Sequence, residues 1–189
     1  MRLTVLLLID RTGQAGVILL CCLFHELGHI FFMIFLGFPP KKICLLPLSA
    51  DIEKPNKSLP LKKELLIHLG GILTNFAVSS VFIFAFTKYK CDIFLLFSAA
   101  NLAIGVFNLT PISGLDGGNF LYALLCSFTP SRADSICTLI SRVFGFLFAC
   151  LATFLALKFY NPALLLFCIY IFFMGKNFRT VKKEYKKRR

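Results

Sequence analysis

The feature that most constrains this chain is a series of apolar stretches long enough to cross a lipid bilayer. The first, residues 15–38, would reach about 36 Å as a helix, against roughly 30 Å of bilayer hydrocarbon. Further apolar stretches occupy residues 65–87, 93–109, 137–157 and 163–173. The chain is 58% hydrophobic and only 16% charged, whereas soluble domains are about one quarter charged. This composition excludes a soluble globule and a disordered chain.

The breaks between these stretches predict the remaining architecture. Residues 110–118 are rich in Pro and Gly, which no regular helix favours, and residues 120–128 are predicted to complete the third span after this break. The Pro-punctuated segment 41–63 contains a short β-like stretch at 43–48. We therefore predict an all-α, polytopic transmembrane helical bundle of about five spans, with a small β element after the first span.

The positive charge is concentrated beside the apolar stretches. Of the 21 Lys and Arg residues, six lie between Lys41 and Lys63 and eight between Lys176 and Arg189. Basic flanks of this kind are typical of the cytoplasmic ends of membrane helices, and no nucleic-acid-binding motif accompanies them. Placing the first cluster in the cytosol returns the tail to the cytosol after four further crossings. We expect a multi-pass membrane protein in contact with the bilayer, with a cytoplasmic tail and with no nucleic-acid partner.

The predicted organisation has four segments. Residues 1–14 form an N-terminal strand or a truncated helix, residues 15–128 a membrane-embedded core, residues 129–177 two additional transmembrane helices, and residues 178–189 a basic cytoplasmic tail. The eight Cys residues show no CxxC spacing, so they predict neither a disulfide framework nor a zinc knuckle.

Two of the three histidines stand inside the first apolar stretch, in the segment His25-Glu26-Leu27-Gly28-His29. Ionisable groups at membrane depth are costly, so their presence needs a reason; a chance pentapeptide is the alternative. The i, i+4 spacing places both imidazoles on one helix face, where they can bind one zinc ion at about 2.0–2.1 Å. Glu26 can act on a water bound to that metal, as in the zinc-hydrolase HExxH pattern. The segment predicts one zinc ion per chain.

A catalytic zinc usually takes a third protein ligand. Asp116 is the best candidate, because it follows the Pro- and Gly-bearing break, and irregular backbone at membrane depth is tolerated where it is buried in protein or lines a wet cavity. The alternative is an interfacial Asp that caps a helix starting at Gly117. His68 is a rival ligand, although its position near the basic end of its span favours an interfacial role.

Asn75 is the third unusual polar residue, in the segment Gly70-Gly71-Ile72-Leu73-Thr74-Asn75. An embedded amide can donate to a developing oxyanion or to substrate backbone, but it can equally form an interhelical hydrogen bond. The paired glycines would let another helix approach closely. Asn108, just before the break, has the same ambiguity and favours a structural role.

Taken together, these segments resemble the site-2 proteases, a family of membrane-embedded zinc metalloproteases. The resemblance covers roughly residues 15–128 and rests on Phe24–His29, on Gly71-x-x-x-Asn75 and on residues 107–118, Phe-Asn-Leu-Thr-Pro-Ile-Ser-Gly-Leu-Asp-Gly-Gly. The compact layout is most similar to the bacterial sporulation-type branch, which implies a bacterial cell membrane as the location. The family often has Gly-Pro at Gly71-Ile72 and a Pro at Ser113-Gly114. Gly114 adds freedom there and makes the positioning of the segment less sure.

The resemblance implies a zinc metalloendopeptidase with His25, His29 and Asp116 as zinc ligands, Glu26 as catalytic acid and base, and Asn75 as a helper near the reacting carbonyl. The implied substrates are extended segments of other membrane proteins, such as membrane-tethered transcription regulators, and the implied partners include a membrane regulator or further copies of the chain. Two other classes are considered. A metal transporter would spread its ligands along several spans, and an inactive scaffold would lose the Glu or a ligand.

Overall fold

The computed structural model describes residues 14–40, 42–46, 49–53 and 59–159. Within these residues the chain forms five helices and two strands. In chain order they are α1 (Gln14–Phe35), β1 (Lys42–Leu46), β2 (Ser49–Glu53), α2 (Leu61–Tyr89), α3 (Asp92–Leu109), α4 (Asp116–Phe128) and α5 (Ala133–Phe159).

Four of these helices, α1, α2, α3 and α5, are long and apolar enough to cross a membrane. Helical membrane spans were predicted at all four positions. The predicted fifth span at 163–173, the N-terminal segment 1–14 apart from its last residue and the basic tail 178–189 lie outside the described residues. Four candidate spans therefore lie in the described part of the chain, and the count of five stays a prediction.

The end of α1 is set by Gly37, whose φ of +81° lies in the left-handed region. The Gly37 amide donates to the Ile34 carbonyl at 3.0 Å and the Phe38 amide to the Met33 carbonyl at 2.9 Å. These two bonds form a Schellman motif, which satisfies carbonyls that the last turn of a helix leaves open. The first helix therefore ends at Phe35, three residues before the end of the predicted stretch.

The second span is longer than its apolar stretch predicted. α2 begins at Leu61, four residues before residue 65, because the amides of Lys63 and Glu64 donate to the carbonyl of Pro60. Its 29 residues reach about 44 Å, which exceeds the roughly 30 Å of bilayer hydrocarbon. Charged side chains at an end that extends beyond the hydrocarbon do not break a helix, and for this reason hydropathy alone placed the boundary too late.

The two strands form an antiparallel hairpin in which Leu46 pairs with Ser49 and Lys42 with Glu53. The sequence indicated one β-like stretch at 43–48, which overlaps β1, and did not indicate β2. The reason is compositional, since Ala, Asp and Glu, which make up most of β2, are disfavoured in strands. Hydrogen bonding to β1 stabilises β2 as a strand although its residues have low intrinsic β propensity.

The chain divides into two compact units. The first contains α1, both strands, α2 from Leu66 onward and α3 up to Asn108. The second contains the described residues 59–65 and 109–159, and therefore α4 and α5.

Small and hydroxyl-bearing side chains hold the first unit together. α1 and α2 approach closely at Gly28 and Gly70, where a Cβ built on Gly70 would lie 3.1 Å from the Gly28 carbonyl oxygen. Between α2 and α3, the Ser79 hydroxyl donates to the Ser98 carbonyl at 2.9 Å, and the Ser98 hydroxyl donates to the Ser79 carbonyl at 3.0 Å. Close backbone packing and such hydroxyl bonds are how helices associate where lipid offers no hydrophobic driving force.

The second unit is held by α4 and α5, which pack around Tyr122, Ala133 and Cys137. The Tyr122 hydroxyl donates to Asp134 Oδ1 at 2.8 Å. Because this bond joins the first turn of α5 to the middle of α4, it fixes the angle at which the short helix meets the long one.

Candidate metal centre

His25 and His29 are both buried on α1, with 6% and 8% of their surface exposed. Their Nε2 atoms lie 3.2 Å apart, and their rings meet edge to face. Two nitrogens that share one tetrahedral zinc ion at 2.0–2.1 Å are separated by about 3.3 Å. The predicted pair is therefore brought together at the spacing that a common metal ion requires.

A backbone carbonyl on α2 orients one of these rings. His29 Nδ1 lies 2.8 Å from the carbonyl oxygen of Ile67. Because a carbonyl only accepts, Nδ1 carries the proton and Nε2 keeps its lone pair for a metal. Metal-ligating histidines commonly donate their second nitrogen in this way, which fixes both tautomer and ring orientation.

Gly71 provides the space for the two imidazoles. A Cβ built on this residue would lie 2.5 Å from His29 Nε2 and 2.7 Å from His25 Cε1. The paired glycines were predicted to allow a close helix approach, and the two prove to have different roles. Gly70 meets Gly28 and Phe32, whereas Gly71 faces the imidazoles. A histidine pair with converging Nε2 atoms over a bare glycine fits a zinc ion.

Glu26 and Asn75 lie in the same unit as the histidine pair. Glu26 directly follows His25 on α1 and is half-buried. Asn75 stands one helical turn after Gly71 on α2 and is fully buried. Neither its Nδ2 nor its Oδ1 has a hydrogen-bond partner among the described residues, so the interhelical bond that was the alternative interpretation is not found there.

The remaining two polar residues that the sequence singled out are His68 and Asn108. His68 is buried on α2, with 7% of its surface exposed. Asn108 donates from Nδ2 to the Ile104 carbonyl at 3.1 Å, one turn earlier in its own helix. This local bond agrees with the structural role that its position favoured.

Asp116 lies in the second unit and is the first residue of α4. The residue at the helix N-cap is Leu115, and no side-chain hydrogen bond caps the helix. The helix therefore begins at Asp116, one residue before the Gly117 start that the capping alternative assumed. The carboxylate is half-buried, in the first turn, where the helix dipole favours negative charge.

The Pro- and Gly-bearing segment before Asp116 has a defined conformation. Gly114 has a φ of +92°, and the Leu115 amide donates to the Ile112 carbonyl at 3.1 Å. This is a β-turn in which the third residue, Gly114, has positive φ. Glycine is favoured at such a position because it adopts positive φ without strain. Gly114 was expected to make the segment less well positioned; instead it is the residue that the turn needs.

A further residue fixes this segment and was missed by sequence reasoning. The Ser113 amide donates to the Ser141 hydroxyl at 2.8 Å, and Ser141 is fully buried. The sequence offers no signal for this contact, since Ser141 is a single small hydroxyl in an apolar helix, 28 residues away.

The chain is similar to proteins of known class. No family model matches it. It is 32% identical over 116 residues to stage IV sporulation protein FB of Bacillus subtilis, covering 60% of this chain and 40% of that protein. It is 33% identical over 108 residues to a zinc metalloprotease of Methanocaldococcus jannaschii, covering 53% of this chain and 31% of that protein. The chain thus matches less than half the length of each curated relative.

A solved structure shows the same fold. The site-2 protease of Methanocaldococcus jannaschii aligns with a TM-score of 0.66 and 23% identity, over 92% of this chain and 82% of that one. At this level of identity the match shows the fold alone.

Proposed function

We infer that this chain, whose relatives support the site-2 protease family, is an intramembrane zinc metalloprotease that hydrolyses peptide bonds of membrane-spanning substrates. The observation that carries the proposal is the histidine pair on α1, with Nε2 atoms 3.2 Å apart over Gly71. Two buried imidazoles inside an apolar helix are costly without a ligand. A shared metal ion accounts for both.

Asp116 is proposed as the third protein ligand. Together with His25 and His29 it makes a set of donors of the kind that holds zinc, two imidazoles and a carboxylate. A zinc ion held there supplies Lewis acidity, which activates water and polarises a peptide carbonyl. Two hydrogen bonds, one within the turn before Asp116 and one to the Ser141 hydroxyl, fix the backbone that carries the carboxylate.

Glu26 and Asn75 are proposed to perform the proton transfer and the charge stabilisation. Glu26 takes the proton from the attacking water and returns it to the leaving amine, the role of a general base and then a general acid. Asn75 donates from Nδ2 to the oxygen of the reacting carbonyl as negative charge develops. Its burial supports this role, because a donor that is shielded from water interacts more strongly with that charge.

The proposed substrates are other membrane proteins, among them membrane-tethered transcription regulators released by regulated intramembrane proteolysis. A helical peptide must unwind locally before its carbonyl can be attacked. The hairpin of β1 and β2 is proposed to hold the extended segment by strand addition. We further propose a bacterial cell membrane as the location, and a membrane regulator or further copies of the chain as partners.

The first test is Glu26→Gln, measured as cleavage of a fluorescently labelled unfolded casein by the detergent-solubilised protein. Removal of a general acid and base costs about 100-fold or more in rate, while zinc content stays at the wild-type level because Glu26 is not a ligand. Glu64→Gln, a buried glutamate outside the histidine segment, serves as the matched control. Normal cleavage by Glu26→Gln would exclude the mechanism.

The second test measures zinc content in Asp116→Ala and His68→Ala, with the wild type beside them. Zinc should be lost with Asp116→Ala, because two imidazoles alone bind it weakly, and retained with His68→Ala. Loss with His68→Ala and retention with Asp116→Ala would assign the third ligand to His68 instead. A wild-type protein without zinc after gentle extraction would favour the inactive scaffold.

A further inference from the structure

α1 and α2 follow a regular antiparallel register in the first unit. The His29 ring bonds to Ile67, and the His25 ring lies over Gly71. Four residues back along α1 therefore correspond to four residues forward along α2. One further turn in the same direction places Cys21 at the level of Asn75.

α3 contributes a polar side chain at the same level. Asn101 donates from Nδ2 to Cys21 Sγ at 3.0 Å and to the Phe97 carbonyl at 2.8 Å. One turn later on α3, a Cβ built on Gly105 would lie 3.4 Å from Asn75 Cβ. Cys21, Asn75 and Asn101, here called the polar layer, thus come from three helices and lie one turn along α1 from His25.

The polar layer has hydrogen-bonding capacity that the protein does not use. All three side chains are fully buried, at 0% exposure. Three of their atoms, Nδ2 and Oδ1 of Asn75 and Oδ1 of Asn101, have no partner among the described residues. A buried polar atom left without a partner destabilises a protein, and an internal water typically makes about three hydrogen bonds to such groups.

We propose that the polar layer is an internal water-binding site enclosed by α1, α2 and α3. Water there donates to the Oδ1 atoms of Asn75 and Asn101. Without water, these three amide atoms would stay unpaired at one level of a membrane bundle. The site contains no metal ligand, and Asn75 is the residue that it shares with the proposed catalytic machinery.

The test is brief X-ray radiolysis of the detergent-solubilised protein, which generates hydroxyl radicals from bound water and oxidises adjacent side chains. The readout is oxidation of Cys21 by mass spectrometry, in a Cys22→Ala background so that the signal belongs to one thiol. Cys137 is the matched control, because it is equally buried but lies in an apolar cluster. Exposed Cys150 reports radical dose.

We expect Cys21 to be oxidised severalfold faster than Cys137. In the double variant Asn75→Leu/Asn101→Leu, which replaces both amides with apolar groups of similar shape, the rate at Cys21 should fall to that of Cys137. Circular dichroism checks that the variant is folded; if it is not, Asn101→Leu alone is used. Equal rates at Cys21 and Cys137 in the wild type, or an unchanged Cys21 rate in a folded variant, would overturn the proposal.

Discussion

At the scale of single residues, the candidate centre depends on a glycine that has no side chain as well as on the two histidines. His25 and His29 supply the nitrogens, but Gly71 supplies the room for their rings. The carbonyl of Ile67 then sets the tautomer of one imidazole. A metal centre of this kind needs its surrounding contacts as well as its ligands, since these orient the donors.

Gly71→Ala is expected to reduce zinc affinity by about 10–100-fold, the range for loss of contacts that orient metal ligands, because the new methyl group would occupy the imidazole positions. Equilibrium dialysis against a zinc chelator measures this. Gly145→Ala is the control, since no atom of the described residues lies within 4 Å of a Cβ at that position. Unchanged zinc affinity in Gly71→Ala would show that the rings can move aside.

At the scale of elements, specific contacts fix the backbone of the irregular segment between α3 and α4. Its turn uses the positive φ of Gly114, and a Cβ on Gly117 would meet the carbonyl of Leu109. Ser141 on α5 binds the amide of Ser113. The backbone that carries Asp116 is therefore fixed, because the turn, the close glycine contact and the bond to Ser141 each hold part of the break.

Ser141→Ala should destabilise the protein by about 1–3 kcal/mol, the cost of a buried amide left without an acceptor. Thermal unfolding in detergent, followed by circular dichroism, measures the change. Ser127→Ala is the control, because the hydroxyl of that exposed serine donates to the Leu124 carbonyl within its own helix. If both variants unfold at the same temperature, the bond to Ser113 does not stabilise the segment.

At the scale of the whole molecule, the distribution of charge predicts how the chain crosses the membrane. The segment 41–63 and the tail 178–189 carry most of the Lys and Arg residues, and such segments are retained in the cytosol. With five spans, the turn at residues 88–91 between α2 and α3 faces the opposite side.

Cys91, exposed in that turn, should react with a membrane-impermeant maleimide added to intact cells that carry a variant with Cys91 as its one cysteine. A variant with its one cysteine added after Arg189 should react only after lysis, because the charge distribution predicts a cytosolic tail. The reverse labelling pattern would invert the topology, and labelling of both sites in intact cells would give an even number of spans.

The sequence by itself determined the membrane class of the chain, the four long helices and the His25–His29 pair. These are local properties: apolar length decides a span, and a spacing of four residues decides a helix face. Tertiary structure decided what depends on contacts between distant segments: the start of α2, the strand β2, the role of Gly71 and the bond from Ser113 to Ser141. Such contacts leave no periodic signal, because a glycine or serine in an apolar helix looks the same whether it faces lipid, a backbone or an imidazole.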